Sequence, residues 1–194
     1  MVIVGTSPTT AEVILAAARR AIASRGPGKL TLSAVAAEAG VSRPTLYRWF
    51  PTKGILLAAI TAYEVEHFDA GLQSVIDAHR APGSRLDAAL RYIVTYLDDA
   101  TAADPIGADP AFALQSLADA LVPHIESLAR LLGDALEFVP VVRAGVLTRD
   151  EAAEMFLRIA YSHYLVPHRD PEEMLGMLRR FAGLGRTGKR TPAR

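Results

Sequence analysis

The sequence predicts an all-α protein, and three observations carry that prediction. Apolar residues recur throughout at the 3.6-residue spacing of amphipathic helices. No segment sustains the period-2 alternation of a half-buried strand. The periodic runs open on Thr, Ser or Asp and close on Gly or Pro clusters, the local chemistry of helix ends.

Taken in order, the first helix starts at Thr9 or Thr10, with Glu12 near its N-terminus. It buries Val13, Ile14, Ala17, Ala21 and Ile22, and Gly26-Pro27-Gly28 ends it. Thr31 caps a second helix that turns Val35 and Ala36 inward and stops at Gly40, a residue suited to the left-handed backbone of a sharp turn. Ser42 caps a third, with Pro44 in its first turn, where a missing N–H is harmless. Leu46, Trp49 and Phe50 are expected to face the small core. Thr52 caps a long fourth helix running through Ile55, Ile60, Phe68, Leu72 and Ile76 to about Ala78.

Arg80-Ala81-Pro82-Gly83-Ser84 reads as a linker, and a helix from Ser84 lines up Leu86, Leu90, Ile93 and Leu97. A second break follows at 104–110, where Asp109-Pro110 forms a cap and first turn. Residues 111–138 give one or two helices, punctuated at Pro123. Thr148-Arg149-Asp150-Glu151 is a capping box opening a helix to about Leu165. Asp170-Pro171-Glu172-Glu173 opens the last helix, striped by Leu175, Leu178 and Phe181. A flexible start (1–8) and a flexible basic tail (185–194) are expected.

With 51% hydrophobic residues in 194, the chain has material for a sizeable core. No apolar run approaches the roughly 18 residues of a membrane span, and the first residues lack the pattern of a signal peptide. Cysteine is absent, which excludes disulfides and thiolate metal sites and suits a cytoplasmic setting. Net charge is zero, but it is unevenly spread: residues 1–53 carry seven Lys/Arg against two acids, and residues 54–178 eight against nineteen. The last sixteen residues hold six basic side chains and no acid. Attraction for phosphate is therefore concentrated at the N-terminal end.

Within that end, a short helix, a Gly turn and a second short helix read as a helix-turn-helix at about 31–50, a unit that sets one helix into a DNA major groove. Arg43, Thr45, Tyr47 and Arg48 are the exposed positions of the third helix, donor-rich groups suited to base edges and phosphates. Thr31, Ser42 and Lys53 stand at helix N-termini, where free N–H groups favour phosphate. Ser33 and Pro44, in the first turns of the two helices, complete the candidate DNA-binding set.

Residues from about 10 to 60 closely resemble the N-terminal domain of the TetR family of transcriptional regulators. The landmarks are Ile14-x-x-Ala17-Ala18, Arg25-Gly26 and Thr31-Leu32-x-x-Val35-Ala36-x-x-Ala39-Gly40-Val41-Ser42. The match continues without a gap through Thr45-Leu46-Tyr47-x-x-Phe50-Pro51-x-Lys53-x-x-Leu56-Leu57. The resemblance implies a homodimer whose paired recognition helices read a palindromic double-stranded operator, and a larger helical domain that binds a small-molecule effector. Dimerisation would use the last two helices. Tyr47 and Lys53 match the family's phosphate contacts, and Arg43, Thr45 and Arg48 its groove-facing positions. Ile22 departs where an aromatic is common, Trp49 where Tyr or His is usual, and Pro44 replaces a small residue.

The domain reading is then 9–54 for DNA and 55–184 for ligand binding and dimerisation, joined through the fourth helix. Beyond residue 80 the likeness is one of architecture only. Phe68, Tyr92, Tyr96, Phe112, His124 and Tyr161 are the candidate ligand-binding residues, with Phe138 a further aromatic, since apolar pockets with a few polar groups suit small molecules.

No enzymatic role, cofactor or metal is expected. Gly183 to Lys189 fits part of a phosphate-binding loop, but Arg190 stands where Ser or Thr is needed. Glu64-x-x-His67 has no second such pair, and His124, His163 and His168 lack ligand spacing. No Gly-x-Ser-x-Gly elbow is present. The alternative reading is a helical protein that binds or modifies a small molecule without acting on DNA, which the acidic body also fits.

Overall fold

The computed structural model describes residues 9–101, 109–166 and 170–185. Among these, all regular structure is helical. The ends expected to be flexible lie almost wholly outside the described residues, as do most of the 104–110 break, the later part of the loop-like tail motif and His168. No helix among the described residues is long and apolar enough to cross a membrane. The chain divides into two compact units, one from Met1–Glu66 with Ala103–Ala120, the other from His67–Ala102 with Leu121–Arg194.

In the first unit, α1 (Thr10–Arg25) opens on a capping box: the Thr9 side chain accepts from the Glu12 backbone N–H, and the Glu12 carboxylate accepts from the Thr9 N–H. Ile14, Ala17, Ala18 and Ala21 form its buried stripe. A 3-10 turn (Pro27–Lys29) leads to α2 (Leu32–Ala39), then α3 (Arg43–Trp49) and the start of α4 (Lys53–Asp77). The turn between α2 and α3 pivots on Gly40 at φ 67°, where a Cβ would be strained. Val35, Leu46, Phe50, Leu56 and Ile60 close one apolar cluster on Ile14 and Ala18.

In the second unit, α5 (Pro82–Thr101) begins two residues before the expected Ser84, with Pro82 in its first turn. Its stripe of Leu86, Leu90, Ile93 and Leu97 is buried as the spacing requires. α6 (Pro110–Leu132), which spans the division, runs through Pro123 as one α-helix, the single-helix alternative of the two that the sequence left open. Proline removes one backbone bond there, and burial of Leu128 and Leu132 beyond it offsets that local penalty. The α-helix ends at Leu132 and the rest of the helical stretch expected to 138 is a 3-10 segment (Gly133–Phe138); a short α7 (Pro140–Arg143) follows without an earlier signal. α8 (Arg149–Leu165) opens on the expected capping box and α9 (Pro171–Phe181) on Asp170. Phe156 of α8 packs edge-on against Phe181 of α9, and Arg179 grips Asp87 of α5 with two bonds of 2.5 and 2.8 Å.

Candidate nucleic-acid interface and aromatic cluster

The sequence of α3 fixes which residues it can offer. Leu46 is fully buried and Phe50 nearly so, and these two anchor the helix, leaving the rest of its surface outward. Arg43, Pro44, Tyr47 and Arg48 are exposed and Thr45 is half-buried. Arg43 and Arg48 make no ion pair among the described residues, whereas Arg19 pairs with Glu64 and Arg20 with Glu38. The basic N-terminal end is thus partly neutralised on α1 and left uncompensated on α3.

The hydroxyls are already at work inside the motif. Thr31 accepts from the Ala34 N–H at 3.2 Å, capping α2. Ser42 accepts from the Thr45 N–H at 3.2 Å and shares a 2.8 Å bond with the Thr45 hydroxyl. Ser33 is half-buried. Lys53, at the first position of α4, donates from Nζ to the Gly28 carbonyl at 3.3 Å, a tether to the preceding 3-10 turn that the sequence did not reveal.

One expectation fails here. Trp49 does not face the core; it is 46% exposed, as is Tyr47 at 47%. The helix ends at Trp49, and Phe50 leaves the helical conformation at φ −131°, ψ 84°. Phe50 therefore swings into the core place that simple periodicity shares between the two, and the indole stays outside.

Five of the six ligand candidates meet in the second unit. Phe68 of α4 stacks on the His124 imidazole of α6 at 4.0 Å, and packs against Tyr92 and Tyr96 of α5 at 5.5 and 5.1 Å. His124 Nδ1 lies 2.7 Å from the Tyr161 hydroxyl of α8. Tyr92 donates to the Phe68 carbonyl at 3.1 Å, and Gly71 makes that approach possible, since a Cβ there would lie 2.2 Å from the phenol oxygen. Phe112 belongs to the first unit and is half-buried there, while Phe138 is 42% exposed beside Gly83.

Burial sets the electrostatics of this cluster. His124 is held down to about 4 by desolvation, against a smaller opposing pull from Asp69, so its ring is neutral at physiological pH. Burial also pushes the Tyr161 and Tyr164 hydroxyls up. Asp69 accepts from Ser127 at 2.7 Å and Arg130 at 3.2 Å, a network spread across two helices that no local spacing announces. A separate open groove of about 560 Å³ is lined by Asp87, Gly176, Arg179, Arg180, Leu184 and Gly185. No group of three metal-binding side chains occurs among the described residues.

Residues 14–60 match the family model of bacterial regulatory proteins, tetR family, so this N-terminal segment is a domain of that family. No curated protein matches the chain. Among solved structures, it is similar to a TetR transcription regulator from Haloarcula marismortui, with TM-score 0.69 and 20% identity over 90% of this chain and 96% of that one. It is likewise similar to the TetR family repressor AlkX from Dietzia sp. strain DQ12-45-1b, with TM-score 0.63 and 22% identity over 92% and 96%. A third likeness is to AibR, solved with isovaleryl coenzyme A and operator DNA, with TM-score 0.58 and 20% identity over 90% and 99%. These likenesses are of fold; with the family match they support a DNA-binding transcriptional regulator.

Proposed function

We propose that the protein is a homodimeric, cytoplasmic repressor that leaves a palindromic operator when a small molecule binds its helical body, and that it performs no chemistry on the DNA. The observation that carries the reading is α3: anchored through Leu46 and Phe50, it presents Arg43, Tyr47 and Arg48 to solvent without acidic partners among the described residues. Arg43, Thr45 and Arg48 face the groove, with Pro44 setting the entry of α3. Thr31, Ser33, Ser42, Tyr47 and Lys53 position the phosphate backbone. The AibR complex, which holds both a ligand and operator DNA, supports coupling of the two functions.

Phe68, Tyr92, Tyr96, His124 and Tyr161, with Phe112, are the effector-binding residues, and residues 55–184 form the effector and dimerisation domain. α4 carries Lys53 at its start and Phe68 in its later turns, so a ligand that shifts the Phe68 end shifts the helix bearing Lys53. Recognition helices displaced in this way no longer match half-sites one helical turn apart, which is a population shift set by differential affinity. α8 and α9 form the dimer contact, a reading supported by Met155, 38% exposed on α8.

An electrophoretic shift with DNA flanking the protein's own gene tests the reading. A retarded complex that resists excess random duplex is expected. Binding to neither DNA at low salt would instead favour a helical ligand-binding or ligand-modifying protein that does not act on DNA. Sedimentation should give a dimer at micromolar concentration, and a monomer there would remove the paired-helix geometry.

A further inference from the structure

Buried hydrogen-bonding groups without partners are few in a well-packed protein, and each calls for a reason. The Phe68 neighbourhood holds two: Nε2 of His124 and Oδ1 of Asp69. His124 is only 4% exposed, so bulk water does not satisfy its ring.

Counting hydrogens assigns the tautomer. If Nδ1–H donated to Tyr161, the phenol hydrogen would need another buried acceptor and Nε2 would need a donor. If Tyr161 donates to Nδ1 across the 2.7 Å contact, the phenol hydrogen is used and a single group is left over, the Nε2–H. The second arrangement leaves fewer unsatisfied atoms, and the depressed pKa keeps the ring in this neutral form.

We propose that His124 is the anchor of the effector site, its Nε2–H donating to the carbonyl oxygen of an uncharged, flat, largely apolar molecule seated against Phe68 and Tyr96. This rests on the reading of the chain as a ligand-responsive regulator and narrows the effector to a chemical class. An acceptor is required because the free group is a donor. A carboxylate is disfavoured, because Asp69 acts electrostatically on the same imidazole and its Oδ1 is itself buried without a partner. A flat body is favoured because the groups around Nε2 are themselves flat rings, Phe68 stacked on the imidazole at 4.0 Å and Tyr96 edge-on to Phe68 at 5.1 Å, which offer ring faces and edges to a planar molecule. Binding pairs a donor that the free protein leaves unpaired.

Three probes sharing one ring separate the alternatives on the full-length protein: acetophenone, benzoate and ethylbenzene. Nitrogen-15 spectra of the histidine rings should show His124 protonated at Nε2 in the free wild type, with that nitrogen shifting on titration with acetophenone. Ethylbenzene and benzoate should bind about tenfold more weakly, the worth of roughly one buried hydrogen bond. His124→Phe keeps a ring on Phe68 and removes the donor, so the preference for acetophenone over ethylbenzene should disappear.

The proposal is overturned by an Nε2 without hydrogen in the free protein, by benzoate binding best, or by none of the three probes binding at millimolar concentration. The tautomer measurement needs no variant, so it decides even if His124→Phe fails to fold. Operator binding is measured on the same wild-type sample. If operator is bound and the probes fail, this inference falls alone; if the probes behave as stated and operator is not bound, the regulator reading falls.

Discussion

The helix-turn-helix and the aromatic cluster are built on opposite principles. In α3 the apolar anchors Leu46 and Phe50 are hidden and the polar candidates stand in solvent. Around Phe68 three of the candidates, Phe68, His124 and Tyr161, are themselves buried, and Tyr92 and Tyr96 are half-buried. A surface that meets DNA keeps its charges hydrated until binding. A site for an apolar effector has to keep its polar groups scarce and dry. The difference predicts that substitutions in the two regions act on different observables.

The largest effect is expected where the first region depends on its anchors. Leu46→Ala should lower stability by about 2–5 kcal/mol, because a fully buried leucine leaves a cavity, and chemical unfolding measures it. A loss within the range of a surface substitution would mean that α3 is not anchored as described.

Next comes pH. His124 has a folded value of about 4 against an ordinary 6.5. Below 6.5 the unfolded chain takes up a proton that the native ring refuses, so this group's contribution to stability is complete above 6.5 and is lost progressively down to 4. The total is on the order of 3 kcal/mol. Urea midpoints between those pH values should fall more for wild type than for His124→Phe; parallel falls would show that the imidazole titrates normally.

Smaller effects belong to the DNA face. Lys53→Ala should weaken operator and random DNA about equally and reduce the salt slope by about one, since a phosphate contact carries no sequence information. An unchanged slope would mean that its bond to the Gly28 carbonyl is its whole role. Smallest of all is an optical change: Trp49 is the sole tryptophan and lies exposed at the end of α3, so its emission should change when operator is added. Emission indifferent to saturating operator would place the indole away from the duplex.

How much of this was legible in the sequence differs between the regions for a physical reason. The helix-turn-helix is specified by contiguous local chemistry: Thr31 and Ser42 cap, Gly40 turns, and Leu46 faces in. Trp49 was misplaced because periodicity assumes a continuing helix, and the helix ends there. At Pro123 the sequence left one helix or two open, because intrinsic propensity alone does not decide what tertiary packing does; one α-helix runs through it. In the second region the sequence supplied a list of aromatics but not their meeting, which depends on four helices packing together. The Asp69, Ser127 and Arg130 network left no local signal. Gly71, a lone glycine within a helical pattern, was the one available hint that another group approaches closely.

The central claim is that the outward face of α3 reads a DNA sequence. It is tested most directly by measuring wild type and Arg43→Ala against the operator and against random duplex at one moderate salt concentration. The account predicts a loss of about 1–3 kcal/mol on the operator and little change on random DNA, so that the specificity ratio falls. Equal operator binding by the two proteins, or equal losses on both DNAs, would contradict it.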